Sequence, residues 1–77
     1  MNIEVYGMEG CSTCTNLKKD IEKFVEENNL DAQVKKVTDI AKMAKKGIMS
    51  SPTVAVDGEI VIRGKVPSYE ELKELLM

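Results

Sequence analysis

The only two cysteines of this chain, Cys11 and Cys14, lie three positions apart in the run Gly10-Cys11-Ser12-Thr13-Cys14. The segment before them alternates like a strand, and the segment after them repeats like a helix. That placement constrains the fold more than any other feature. A bridge between the two sulfurs would close a loop of about four residues, and the chain-entropy model credits such a loop with roughly 2 kcal/mol before strain. Tight loops add strain and make the bond easier to reduce. A chain of 77 residues buries only about 60% of its unfolded surface and needs help to stay folded, but this pair cannot be that help. It is better placed to react than to brace.

Composition removes other readings. There is no histidine, so a closed four-ligand zinc site would need a second chain. Eleven basic and thirteen acidic residues leave a net charge of −2, without a basic aromatic stripe, which argues against nucleic-acid binding. No signal-like opening and no apolar run near the ~18 residues of a membrane span are present. A monomer in the reducing cytoplasm, neither secreted nor in a membrane, is the expectation, and there a lone C-x-x-C is catalytic or metal-binding more often than structural.

The pattern along the chain is short and continuous, as in one α/β domain covering residues 1–77, without repeats or linkers. Asn2 to Tyr6 alternates, with Ile3 and Val5 on one face, and reads as a strand. Gly7 and Gly10 bracket a turn carrying Met8 and Glu9. From Ser12 to about Asn28, Cys14, Leu17, Ile21, Phe24 and Val25 form one helical stripe, and Leu30 folds back onto the helix end. Gln33 to Val37 is a second strand, whose Lys35-Lys36 pair suits a sheet edge. Thr38 or Asp39 caps a short helix containing Ile40, Met43 and Ala44, stopped at Gly47. Thr53 to Val56 and Glu59 to Ile62 form a hairpin around Asp57-Gly58. Ser68 and Glu71 make a capping box for a last helix with Tyr69, Leu72, Leu75 and Leu76 on its apolar face.

The chemistry follows from the helix start. A helix beginning at Ser12 places Cys11 at its N-cap, where free backbone N–H groups and the helix dipole stabilise a thiolate. Ser12 and Thr13 supply the N–H groups and hydroxyls beside it. Cys14 lies one turn on, on the stripe that faces the core. Cys11 is therefore expected to attack a disulfide, and Cys14 to resolve the mixed disulfide, with no cofactor beyond the reversible Cys11–Cys14 bond. The rival is a soft-metal chaperone holding copper(I) by two thiolates. Such modules place methionine two residues before the first cysteine, whereas Met8 stands three before Cys11, and they run strand, helix, strand, strand, helix, strand.

On Cys11-Ser12-Thr13-Cys14 after the first strand, and on Ser51-Pro52-Thr53 before the third, the chain resembles the thioredoxin/glutaredoxin superfamily, most of all its small archaeal and bacterial redox-active disulfide proteins. The resemblance implies a minimal thioredoxin fold, βαβαββα, with a four-stranded mixed sheet flanked by three helices. It implies that Pro52 is cis, that the Ser51 backbone pairs with an incoming peptide, and that disulfide-containing target proteins and an electron-donating reductase are the partners. Met8, Ile48 and Met49 are candidates for an apolar rim around the site. The chain also departs from the superfamily. Neither Trp-Cys-Gly-Pro-Cys nor Cys-Pro-Tyr-Cys is present. Val5 stands where thioredoxins bury an aspartate, so water, or no dedicated base, is expected to take the Cys14 proton. Glu4 is expected on the opposite face and Glu9 in solvent. The segment Arg63 to Ser68 lacks the paired glycine and acid of glutathione-binding members, which favours protein partners over glutathione.

Overall fold

A computed structural model of the chain describes every residue except Glu9 and Cys11. Its elements run β1 (Asn2–Tyr6), α1 (Ser12–Glu27), β2 (Gln33–Val37), α2 (Ile40–Lys45), β3 (Thr53–Val56), β4 (Glu59–Arg63) and α3 (Tyr69–Leu76). The strands form one mixed sheet in the order β2-β1-β3-β4. β1 pairs in parallel with β2, Val5 opposite Lys36, because a helix intervenes and returns the chain in the same direction. It pairs antiparallel with β3, Tyr6 opposite Thr53. β3 and β4 close a hairpin through Asp57 and Gly58, both at positive φ (50° and 87°), the backbone that a two-residue turn between twisted strands requires.

β1 is an inner strand, and it carries fully buried residues on both of its faces. Ile3 and Val5 face one side and join Cys14, Leu17, Ile21 and Phe24 of α1, together with Leu72 and Leu76 of α3. Tyr6 faces the other side and joins Ala55 with Met43 and Ile48 in a smaller core under α2. The sequence pattern showed the first core but not the second, since Tyr6 reads as one more residue of an alternating strand.

Two helices end in the same way. Asn29 (φ 52°) donates its N–H to Glu26 O at 3.3 Å, and Leu30 donates to Val25 O at 3.0 Å. Gly47 (φ 71°) donates to Ala44 O at 3.1 Å, and Ile48 to Met43 O at 2.9 Å. Both are Schellman ends, in which the residue after the left-handed position folds back against the helix. The second one matters for function, because it turns the chain from α2 toward the loop that precedes β3.

Some expectations shift by small amounts. β4 extends to Arg63, and α1 stops at Glu27. On α3 only Leu72 and Leu76 are buried. Tyr69 is 52% exposed and Leu75 37%, because an eight-residue helix presents one narrow stripe to the sheet. Tyr69 instead meets the edge of Phe24, with ring centroids 5.0 Å apart. The capping box is present: Ser68 Oγ accepts the Glu71 N–H at 3.3 Å. Among the described residues no helix is long and apolar enough to cross a membrane.

Candidate active site

The first turn of α1 begins with Ser12 and Thr13, both exposed, and then turns inward at Cys14, which is fully buried. The stripe read from the sequence thus places the second cysteine in the core, beside Val5 and Leu17. Cys11, expected as the attacking thiolate, and Glu9, expected in solvent, lie outside the described residues.

The wall behind Cys14 is the end of β1. Gly7 follows directly on β1 and donates its N–H to Val37 O of β2 at 3.1 Å, which holds it beside the strand end. A Cβ built on Gly7 would overlap the Cys14 Sγ and lie 2.8 Å from the Cys14 Cβ. The thiol therefore sits against bare backbone at the C-terminal ends of two parallel strands, where open α/β sheets place their sites. No sequence signal separates this glycine from a turn glycine, because the contact joins residues on two different elements.

The second half of the site is the loop from α2 to β3. The Ser51–Pro52 peptide bond is cis. Pro52 is buried, and its carbonyl accepts the Gly64 N–H at 2.8 Å. Thr53 is buried and donates through Oγ1 to Ser50 O at 2.7 Å. Both contacts fix the loop from behind and leave Ser51 and Met49 facing outward, Met49 at 97% exposure.

Met8, Met49 and Ser51 line one apolar cleft of about 220 Å³. Ile48, expected on the rim, is buried and lies lower in the cleft beside Met43. Ile40, read from the sequence only as part of the short second helix and not as a site residue, also lines the cleft, at 69% exposure. Pro52 is not a lining residue. Larger depressions lie farther along α1, one between its Asp20–Glu27 face and Tyr69 and one beside Leu30, and both are lined by mixed polar surface.

The charged groups near the site are few. Val5 is fully buried where an acid stands in the relatives described above. Glu4 points to the opposite face and pairs with Lys42 Nζ at 3.6 Å. Lys36, expected at a sheet edge, does lie on the edge strand β2, and it shares the Val5 side of the sheet and donates to Thr15 Oγ1, one residue beyond Cys14. Among the described residues no group of three or more His, Cys, Asp or Glu side chains is arranged to hold a metal ion. The element order is also not that of the two-thiolate metal chaperones.

Comparison with known proteins agrees with the geometry. A family model described as a thioredoxin domain matches residues 1–77. A thioredoxin of Methanothermobacter thermautotrophicus is 38% identical over 76 residues, which is 99% of this chain and 97% of that protein. A thioredoxin of Methanocaldococcus jannaschii is 42% identical over 74 residues, 96% of this chain and 84% of that one. Among solved structures, a mutant thioredoxin from Halobacterium salinarum superposes with a TM-score of 0.71 at 25% identity, covering 97% of this chain and 70% of its own.

Proposed function

The chain belongs to the thioredoxin family and is a thiol–disulfide oxidoreductase; we propose that Cys11 is its attacking thiolate and Cys14 its resolving thiol. The observation that carries this assignment is the burial of Cys14 on the core stripe of α1, behind the end of β1. A thiol held there is shielded from bulk substrate and suited to an intramolecular second step.

In the reduced protein the Cys11 thiolate attacks one sulfur of a target disulfide. The target's S–S bond breaks, its other sulfur leaves as a thiolate, and a mixed disulfide forms. Cys14 then gives its proton to water and attacks the Cys11 sulfur. The second target thiolate leaves, and the protein is oxidised by two electrons. The backbone N–H groups at Ser12 and Thr13 and the dipole of the 16-residue α1 favour the Cys11 thiolate. The exposed Ser51 backbone accepts an extended target segment by strand-like pairing, and Met8 and Met49 contact its apolar side chains. The protein works as a cytoplasmic monomer on disulfide-bearing target proteins, needs no cofactor, and is reset by an electron-donating reductase.

The test is reduction of insulin driven by dithiothreitol. The native protein accelerates it, and Cys11→Ser abolishes the acceleration. Full activity in Cys11→Ser would overturn the assignment of the attacking thiol.

A further inference from the structure

Four of the five glycines, at positions 10, 47, 58 and 64, have positive φ, so their backbone explains the residue type. Gly7 does not have positive φ, and its N–H makes an ordinary ladder bond to Val37 O. Its surroundings are also more crowded than those of any other glycine, since even at Gly64 a Cβ would come no closer than 3.0 Å, to Ser50 Oγ. A Cβ at Gly10, Gly47 or Gly58 would meet open space, whereas at Gly7 it would overlap the sulfur of Cys14. What requires glycine at this position is therefore the thiol itself.

We propose that Gly7 is a positioning residue for the second step of the reaction: its bare Cα forms the slot that holds the Cys14 sulfur where it can attack the mixed disulfide. The inference rests on Cys14 being the resolving thiol. Any side chain at position 7 must displace that sulfur or the first turn of α1. Displacements of about 1 Å at a reacting atom cost up to about a hundredfold in rate. The attacking step needs no group at position 7. Gly7→Ala thus separates two steps that the native protein runs in sequence, and it makes the protein hold its target as a mixed disulfide with both cysteines in place.

The experiment is a single turnover of the reduced protein with dithiobis(nitrobenzoate). The first phase forms a bond from the Cys11 sulfur to one reagent sulfur and releases one nitrothiobenzoate. The second forms the Cys11–Cys14 bond, releases the other, and sends the Cys14 proton to solvent, so two thiols lose two electrons to one reagent disulfide. In Gly7→Ala the first phase should stay within about twofold of native, while the second slows at least tenfold and the adduct accumulates. Unchanged second-phase rates, or equal slowing of both phases, would overturn the proposal. Cys14→Ser tests the underlying assignment separately: it should keep only the first phase, and retention of both phases would remove that assignment whatever Gly7→Ala does.

Urea unfolding gives a second measure should Gly7→Ala fold poorly. Cys14→Ala removes the closer of the two contacts. The loss in folding equilibrium constant caused by Gly7→Ala should be at least tenfold smaller in that background. Equal losses in both backgrounds would overturn the proposal.

Discussion

Lys36 Nζ donates to Thr15 Oγ1 across 2.9 Å and ties the edge strand β2 to the first turn of α1. Lys36 lies opposite Val5 in the parallel register, so its stem runs on the core side of the sheet before its ammonium reaches Thr15. A partly buried hydrogen bond to a charged donor contributes about 1.5–3 kcal/mol at most, and solvent access reduces that. Thr15 has other contacts, so single substitutions would mix effects. A double-mutant cycle with Lys36→Met and Thr15→Val isolates the pair. The expected coupling in urea unfolding of the reduced protein is about 1 kcal/mol. Additive losses would show that the bond contributes nothing to folding.

Tyr6 is the largest side chain that the fold buries completely, and its hydroxyl has no hydrogen-bond partner among the described residues. A buried hydroxyl left without a partner costs about 1–3 kcal/mol. Tyr6→Phe should therefore stabilise the protein by about 1 kcal/mol, an unusual direction for a core substitution. The ring is retained, and with it the contact to Lys46 Nζ, 5.7 Å from the ring centroid. A higher urea midpoint with unchanged slope is the expected result. A lower midpoint would mean that the hydroxyl is satisfied in solution.

The elements were legible in the sequence because local rules fix them. The alternation of Asn2–Tyr6, the stripe from Cys14 to Phe24 and the Asp57-Gly58 turn each depend on residues close along the chain. The burial of Cys14 was legible for the same reason. What stayed hidden depends on contacts across elements. Tyr6 is buried because a six-residue α2 covers the second face of β1, and nothing within β1 announces that. Gly7 resembles a turn glycine until the distance to Cys14 is known. Lys36 reads as an edge guard, which its neighbour Lys35 is, because the register that carries it to Thr15 is set by β1.

Glu71 closes the start of α3 and also receives Lys65 Nζ at 2.6 Å. The Lys65 hydrogen bond, with smaller help from the Lys65 charge and the Ser68 backbone, holds its pKa below the ordinary 4.5 and outweighs desolvation, the second-largest influence, which acts upward. Because the folded pKa is the lower one, the stability it adds is complete above the unfolded value. That stability is lost as pH falls from there through the folded pKa. Glu71→Gln keeps the capping geometry but not the charge. The difference in urea midpoint between native protein and Glu71→Gln should therefore shrink as pH falls through this window. In carboxyl NMR titration, Lys65→Met should move the Glu71 midpoint upward. A midpoint unmoved by Lys65→Met would assign the depression to another group.

Met49 is 97% exposed beside Ser51, so it adds almost nothing to the folded state, and its value lies in what it covers on a partner. Burying part of a methionine against an apolar target side chain is worth about 1 kcal/mol, which corresponds to about fivefold in an equilibrium constant. Met49→Ser should therefore raise the KM for insulin about fivefold with kcat little changed. Stability should stay within about 0.5 kcal/mol of native, as for other exposed substitutions. The same variant should react with dithiobis(nitrobenzoate) at the native rate, because that reagent is too small to need the cleft. Met8→Ser, in the same cleft, should act in the same direction, and the two together should raise KM by more than either alone. An unchanged KM for insulin in the double variant would show that targets approach the thiols without touching this cleft.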